Sequence, residues 1–256
     1  MFRVATWNVN SLRVRLQHVL DWLAKEQPDV LALQETKVTD DDFPAEDFHK
    51  AGYKVTYSGQ KTFNGVAVAH LTASHDVITA FPDFEDTQKR LLCLTTGGVT
   101  ILNLYVPNGS VVGSEKYAYK LEWLNQLHLF TTTLGKRNKK IIILGDLNIA
   151  PEDRDVHDPA EWEGSVLVSE PEREHFRTLL ASGYRDCFRL FDQTGNCFSW
   201  WDYRAAAFRR NRGLRIDHIL ASDQLANQCN ACWIDKTPRQ LERPSDHTPV
   251  IADFDL

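Results

Sequence analysis

The stretch that decides the fold is KKIIILGDLNI, residues 139–149, in which an apolar run ends in glycine and polar side chains. A short apolar run of this kind predicts a buried strand. Asp146 and Asn148 come at its end. In α/β proteins, rigid strand ends hold the side chains that surround a cleft. The stretch therefore predicts a sheet and a site at the edge of that sheet.

Similar apolar runs recur on both sides of this stretch and alternate with longer amphipathic segments. Strand patterns occur in FRVATWNV, PDVLALQE, GVAVAHL, GVTILNLYV, RGLRIDHILAS and PVIADFDL. Helical spacing of apolar residues occurs in LQHVLDWLAKE, KYAYKLEWLNQLHLFTTTL and PEREHFRTLLASGY. The alternation predicts an α/β chain whose sheets are covered by helices. The longest irregular piece, Ala150–Glu170, is long enough to predict a functional loop.

The composition is that of a soluble globular protein of 256 residues, 43% of them hydrophobic, which fits one large domain or two small ones. Five irregularly spaced cysteines predict reduced thiols rather than a disulfide framework. Without a signal peptide or a membrane-spanning segment, we expect a cytoplasmic protein. The net charge of −6 argues against a nucleic-acid partner, but it does not register local basic patches or a bound metal.

Polar residues follow or interrupt the predicted strands throughout the chain. They are Asn8, Asn10, Glu35, Tyr105, Asp146, Asn148, Asp217, Asp246 and His247. Taken singly, a carboxylate after a strand is most often a helix cap or a solvated turn residue. Asp217 is different, because it interrupts the apolar run LRIDHIL, where an unpaired charge is costly. We therefore expect it to have a partner of opposite charge.

His247 is the expected partner of Asp217. Adjacent side chains on an extended backbone point in opposite directions, so His247 cannot pair with its neighbour Asp246. A hydrogen bond from His247 to Asp217 would fix the ring tautomer and stabilise the charged ring. Asp246 then faces the other way.

The remaining polar groups predict a phosphate site. Glu35 and Asp246 are hard oxygen ligands of the kind that hold magnesium together with water and substrate phosphate. Asp146 is left as a proton-transfer group. Neutral hydrogen bonds to phosphate are expected from Asn8, Asn148 and Tyr105.

Several motifs occur together in a fixed order. They are TWNVNSLRVRL, DVLALQETK, YSGQKTFNGVAV, LNLYVPNG, IILGDLNIAPEDRDV, FSWWDYR, NRGLRIDHILAS and RPSDHTPV. The ordered set, which runs from Phe2 to about Phe254, resembles the exonuclease III family of DNA-repair nucleases, within the endonuclease/exonuclease/phosphatase superfamily. The resemblance implies one domain over residues 1–256. Its expected fold is a four-layered α/β sandwich of two packed, mainly antiparallel sheets flanked by helices.

The resemblance also implies a phosphodiesterase that depends on Mg²⁺ or Mn²⁺. Its expected partner is double-stranded DNA with abasic sites, nicks or 3′ ends. The implied activities are 3′-to-5′ exonuclease, abasic-site endonuclease and 3′-end cleaning, in proportions that the motifs leave open. No membrane and no obligate protein partner are implied, and we expect a monomer because duplex DNA is a large substrate.

By the same resemblance, Glu35 is the main metal ligand, with Asn8 and Asp246 near the metal. His247, paired with Asp217, polarises the phosphate, either as a base or as an electrostatic stabiliser.

The other matching positions concern water and phosphate. Asp146 resembles the residue that activates or orients the attacking water or protonates the leaving oxygen. Asn148, Asn10 and Tyr105 resemble phosphate-contacting and water-orienting groups. In-line attack of water on phosphorus is the implied chemistry.

The DNA-binding side is predicted from FSWWDYRAAAFRRNRGLR, in which aromatic and basic residues interleave. Arginines contact backbone phosphate, and an exposed aromatic side chain can stack beside a base. Trp200 resembles the family aromatic that lines the sugar pocket, and Trp201 is expected in the core. The arginines of the segment are Arg204, Arg209, Arg210, Arg212 and Arg215. Further candidates for phosphate or DNA contacts are Arg90, Lys61, Lys120 and Asn108.

Two questions stay open at this point. Val166, Leu167 and Val168 lie where the family carries a substrate-pocket loop, and they either line the pocket, crowd it or pack under the loop. Two other functions are also conceivable: a superfamily phosphatase acting on inositol phosphates or lipids, and a non-catalytic DNA-binding scaffold. A scaffold predicts the loss of at least one of Glu35, Asp146, Asp217 or His247, and all four are present.

Overall fold

Two six-stranded sheets form the centre of the molecule in a computed structural model that describes all 256 residues. The first sheet contains, in spatial order, β11 (Cys229–Ile234), β12 (Val250–Phe254), β1 (Phe2–Asn8), β2 (Val30–Gln34), β4 (Val66–His70) and β3 (Lys54–Ser58). The second contains β5 (Ser74–Ile78), β6 (Leu91–Thr96), β7 (Val99–Tyr105), β8 (Ile141–Asp146), β10 (Asp217–Ser222) and β9 (Tyr184–Asp186).

Helices connect and cover the sheets. They are α1 (Leu12–Glu26), α2 (Ala45–Lys50), α3 (Glu115–Arg137), α4 (Pro159–Trp162), α5 (Glu170–Ala181), α6 (Cys187–Phe191) and α7 (Asp223–Ala226). The three long helices predicted from apolar spacing are present as α1, α3 and α5. No helix has the length and apolar character needed to cross a membrane.

The two sheets share one pattern of strand direction. In the first sheet β1 and β2 are parallel, and in the second β7 and β8 are parallel, whereas all other neighbouring strands are antiparallel. The predicted sandwich of mainly antiparallel sheets is confirmed.

Three hydrophobic layers explain the apolar runs. Alternate residues of β8 point to opposite faces of its sheet, so Ile142 and Leu144 join the core between the two sheets. Ile141 and Ile143 join the layer under α3 and α5. Residues of α1 such as Trp22 and Leu23 cover the outer face of the first sheet. Because both faces of β8 are buried, its run of apolar residues is continuous.

The long piece between β8 and α5 is less irregular than expected. It contains a 3-10 turn at Asp153–Asp155 and the short helix α4. Leu167 and Val168 are buried there, in a small cluster with Ala150 and Leu214 that also contacts the half-buried Val166. Leu167 and Val168 therefore pack under the loop, and Val166 lies at the edge of this cluster.

Candidate active site

The polar residues predicted from strand ends gather at one edge of the sandwich. In the second sheet, the register of the strands places Tyr105 beside Asp146 and Asp146 beside Asp217. In the first sheet, Asn8 pairs with Gln34, the residue before Glu35. Strand ends from both sheets thus supply the site.

The expected pair of Asp217 and His247 is present. His247 Nδ1 lies 2.8 Å and 3.1 Å from the two carboxylate oxygens of Asp217. Both residues are buried. Asp217 is the first residue of β10 rather than an interruption within it, and its backbone N–H donates to Ser199 Oγ at 3.0 Å. The ring of His247 is therefore held in one orientation, with Nε2 directed away from Asp217.

Asp146 lies on the other side of the ring, with His247 Nε2 3.7 Å from Asp146 Oδ2. Burial alone would lower the pKa of His247, but the carboxylates of Asp217 and Asp146 raise this pKa to about 10. Burial raises the pKa of Asp146 to about 7, although the charge of His247 opposes this shift. The site thus pairs an imidazolium with a carboxyl group that titrates near neutral pH.

Asn8 links two acidic residues. Its Nδ2 donates to Glu35 Oε1 at 2.8 Å and to Asp146 Oδ2 at 2.9 Å. Its Oδ1 accepts the backbone N–H of Asn10 at 3.0 Å. The amide nitrogen and the amide oxygen of Asn8 thus both hold neighbouring groups in place.

A divalent cation fits the acidic side of the site. Ligand atoms of Glu35, Asp146 and His247 lie within 4.8 Å of one another. The two carboxylates are suitable oxygen ligands, whereas a protonated His247 has no free lone pair to offer. Lys37, which the sequence analysis passed over although it lies in the LQETK motif, places Nζ 2.8 Å from Glu35 Oε2. The ammonium group of Lys37 therefore places a positive charge beside the Glu35 carboxylate.

Asp246 is held by two neutral hydrogen-bond donors, and its expected place near the metal stays a prediction. Its Oδ1 accepts a hydrogen bond from Asn10 Nδ2 and its Oδ2 one from Trp200 Nε1, each at 3.0 Å. Each carboxylate oxygen of Asp246 thus accepts one hydrogen bond and keeps a further lone pair.

The opposite wall of the site is formed by Tyr105, Arg90, Asn108 and Asn148. Burial, with Glu35 and Asp146 nearby, raises the pKa of Tyr105 well above its ordinary value, so the hydroxyl keeps its proton. The Arg90 guanidinium carbon lies 4.5 Å from the centre of the Tyr105 ring. Asn148 accepts a hydrogen bond at Oδ1 from Asn108 Nδ2 at 3.3 Å. The wall therefore consists of neutral polar groups and one cation.

A cavity of about 530 Å³ lies next to this wall. Arg90 and Asn108 line it together with Gln60, Lys116 and Phe63, whose side chain is 65% exposed. Amide, basic and aromatic groups around this cavity suit a polyanion that carries planar bases.

Two basic residues expected to contact DNA are wrongly predicted. Lys120 is wholly buried, and its Nζ donates to Glu172 and to the backbone carbonyls of Asn108 and Asn148. Arg215 is also buried, in ion pairs with Asp155 and Asp186. Neither side chain reaches the surface, because an internal carboxylate holds each of them.

The remaining basic and aromatic candidates lie at or near the surface. Arg204, Arg209 and Arg210 are exposed, whereas Arg212 is half-buried and paired with Glu161. Trp201 is wholly buried, as expected. Trp200 is half-buried between Asp246 and Trp162, with the two indole centres 6.4 Å apart.

The sequence model of the endonuclease/exonuclease/phosphatase family matches residues 5–247. The chain belongs to the endonuclease/exonuclease/phosphatase family. Exodeoxyribonuclease III of Haemophilus influenzae is 38% identical over 97% of this chain and 98% of its own length. This relative places the chain in the exonuclease III branch of the family, as the ordered motifs predicted.

Two solved structures of the family resemble this one closely. One is the 3′ phosphatase NExo from Neisseria bound to a product DNA hairpin, with 42% identity and a TM-score of 0.98. The other is an AP endonuclease from Archaeoglobus fulgidus, with 40% identity and a TM-score of 0.97. Each similarity covers 100% of both chains.

Proposed function

We propose that this protein is a DNA-repair nuclease that hydrolyses phosphodiesters of double-stranded DNA. The observation that carries the proposal is the placement of His247 between Asp217 and Asp146, with Glu35 beside them. The names of the relatives agree, since they include an exodeoxyribonuclease, a 3′ phosphatase and an AP endonuclease. No observation in the structure favours a phosphatase acting on inositol phosphates or lipids, and the retained acidic residues and His247 disfavour a non-catalytic scaffold.

The chemistry follows from the protonation of the site. The Nε2–H of His247 would donate to a phosphate oxygen and offset the negative charge that develops there. Asp146, whose pKa is about 7, would accept the proton of the attacking water. Asn148 and the protonated Tyr105 would hold or orient the phosphate oxygens and the water.

We further propose that Glu35 is the main ligand of Mg²⁺ or Mn²⁺, with Asn8 and Asp246 near the ion, and that Asn8 holds the carboxylates of Glu35 and Asp146 at a fixed separation. When bound, the ion supplies charge neutralisation at the reacting phosphate. Asn10 would position the site from the side, because it contacts both Asp246 and Lys37.

DNA would lie along the basic rim. The exposed Arg209 and its neighbours Arg204 and Arg210 can pair with backbone phosphates, and Trp200 can pack against a sugar or base. Arg90, Asn108 and the half-buried Arg212 would add contacts on either side. Such local charge outweighs a net charge of −6, because phosphates respond to the nearby field.

We also propose that residues 1–256 act as one domain, since a single site draws on residues from Asn8 to His247. We expect a monomer, because duplex DNA is a large substrate. Five free cysteines agree with a cytoplasmic location.

The test uses three labelled duplexes: an internal abasic-site analogue, a recessed 3′ end and a nick with a 3′-phosphate. Each is incubated with wild-type or Asp146→Asn protein, in magnesium or in EDTA. We expect cleavage that requires both magnesium and Asp146. Incision at the abasic site would show that the segment Val166–Val168 leaves the pocket open. Action at 3′ ends alone would show that the pocket is obstructed, and no cleavage of any duplex would refute the proposal.

A further inference from the structure

A buried ion pair lies behind the site and takes no part in the chemistry proposed above. Lys120 of α3 and Glu172 of α5 are in direct contact, and neither side chain has any solvent-accessible surface. Burying two charges is costly unless their remaining hydrogen-bonding groups are satisfied. The partners of these groups show what the pair connects.

Lys120 uses all three ammonium protons. Nζ donates to Glu172, to the carbonyl oxygen of Asn148 at 2.7 Å and to that of Asn108 at 3.2 Å. Asn148 follows Asp146 by two residues, and its backbone N–H donates to Asp146 Oδ1 at 2.9 Å. Lys120 thus holds the backbone of two loops that form the wall of the site.

Glu172 binds a third loop. Its Oε1 accepts the N–H of Leu167 at 3.0 Å, and its Oε2 accepts the N–H of Ser169 at 3.1 Å and also its hydroxyl. These contacts hold residues 166–169. We call these four residues, which include Val166–Val168, the pocket segment. A second link runs from the N–H of Ala150 to the carbonyl of Leu167 at 2.7 Å.

The backbone at both ends of this network needs support. Asn148 has φ of 50° and Leu167 has φ of 78°, in the left-handed region that non-glycine residues rarely adopt. Such conformations persist only where the surrounding structure determines them. Lys120 holds the first residue and Glu172 the second.

We propose that Lys120 and Glu172 are positioning residues, which couple the pocket segment to the turn carrying Asp146 and Asn148 and so determine which DNA ends and lesions are cleaved. The inference rests on the proposed nuclease function and adds to it the control of substrate choice. Neither side chain touches the substrate, since both are enclosed.

The matched variants are two pairs of substitutions. Lys120→Met with Glu172→Gln removes both buried charges together, so that no unpaired charge remains, and it leaves one acceptor oxygen for either Leu167 or Ser169. Arg177→Met with Glu174→Gln removes an exposed ion pair from the same helix, α5, and serves as the control.

We expect the buried double variant to change the ratio of abasic-site incision to 3′-phosphate removal by roughly tenfold or more, because small displacements of reacting groups cost large factors in rate. The control should keep the wild-type ratio. An equal loss on all three duplexes would mean that the pair serves only stability, and would overturn the proposal.

Amide hydrogen exchange gives a readout that does not depend on activity. In the buried double variant, the amides of residues 108–110, 146–150 and 166–169 should all exchange faster than in the wild type and the control. Unchanged exchange in these loops would overturn the coupling even if the enzyme is active. Absence of cleavage by the wild type would refute the nuclease function, while the exchange result would still decide the coupling.

If the double variant does not fold, Ser169→Ala takes its place. This substitution removes the hydroxyl that contacts Glu172 and Tyr117 but leaves the buried charges paired. It should raise exchange in residues 166–169 and change the ratio of abasic-site incision to 3′-phosphate removal relative to the wild type, and either an unchanged ratio or unchanged exchange would contradict the proposal.

Discussion

Asp217 is the residue that determines how His247 acts. Its carboxylate is the partner of Nδ1, so it fixes the plane of the ring and favours the charged form. Without that charge, His247 would stay buried and would lose the strongest of the charge interactions that raise its pKa. The ring would then be a weaker donor toward phosphate.

We therefore expect Asp217→Asn to lower kcat by about 10²–10⁴-fold, the range typical for loss of a positioned proton donor. The measurement is multiple-turnover cleavage of the 3′-phosphate duplex at saturating substrate and neutral pH, with unfolding by urea as a check that the fold is intact. Asp223→Asn, at an exposed ion pair with Arg185, is the control. A variant that retains kcat within a few fold of the wild type would show that the pair has no catalytic part.

Sequence reasoning worked for single residues where a physical cost was visible in the chain. Asp217 adjoins an apolar run, and the need to pair its charge led to His247. Lys120 and Arg215 were wrongly predicted because their carboxylate partners, Glu172 and Asp155, are distant in sequence and lie on elements whose packing no local pattern reveals.

At the scale of elements, the approach of β8 to β7 depends on Gly145. Its φ of 139° and the space around it exclude a side chain, since a Cβ atom would lie 2.0 Å from the carbonyl oxygen of Leu104. The glycine precedes Asp146 directly, so the path of β8 at this point also sets where that carboxyl group lies.

Gly145→Ala should therefore lower the free energy of unfolding by about 1–3 kcal/mol or more, because the added methyl group overlaps backbone. It should also lower cleavage activity in protein that is still folded. Gly135→Ala in α3, where no atom lies within 4 Å of the added Cβ, is the control and should be neutral or stabilising. Equal stability of the two variants by urea unfolding would contradict the argument.

Elements with strong apolar runs were predictable, and their order in space was not. β8, β2 and β4 are buried along their whole length, so their composition identifies them. β5 is mostly exposed and was missed, and so were β3, β9, β11 and also β6, although β6 is largely buried. Strand order depends on pairings between distant parts of the chain, such as Phe2 with Phe254, and only the resemblance to a family supplied the sandwich.

At the scale of the whole molecule, a buried charge network ties three separate parts together. Asp155, in the turn after β8, forms ion pairs with Arg215 from the segment before β10 and with Arg189 from α6. Burial alone would raise the pKa of Asp155, but the two arginines outweigh burial and leave this pKa below its ordinary value. Ionised Asp155 therefore stabilises the folded state.

A carboxyl group with a lowered pKa in the folded state contributes stability above its unfolded pKa of about 4 and loses it as pH falls through the folded value. We therefore expect the free energy of unfolding of the wild type to decrease as the pH drops below about 4. Asp155→Asn should be less stable at pH 7, by about 3 kcal/mol or more, because buried arginine charge loses its partner.

As the pH falls, the free energy of unfolding of Asp155→Asn should decrease less steeply than that of the wild type. The difference in slope should be up to about 1.4 kcal/mol per pH unit for one proton. Urea unfolding between pH 3 and pH 7 measures both effects, with Asp83→Asn on the surface as the control. Parallel pH profiles for the wild type and Asp155→Asn would exclude this role.

The pairing of β1 with β12 has a consequence for biosynthesis. Asn8 leaves the ribosome early, whereas His247 and the strand that completes the first sheet leave it more than two hundred residues later. Until then β1 has no neighbour on the side that β12 will occupy, and the acidic groups lack the imidazole. A nascent chain would therefore be unable to cut DNA during translation, and activity would begin only when synthesis has passed the last strand.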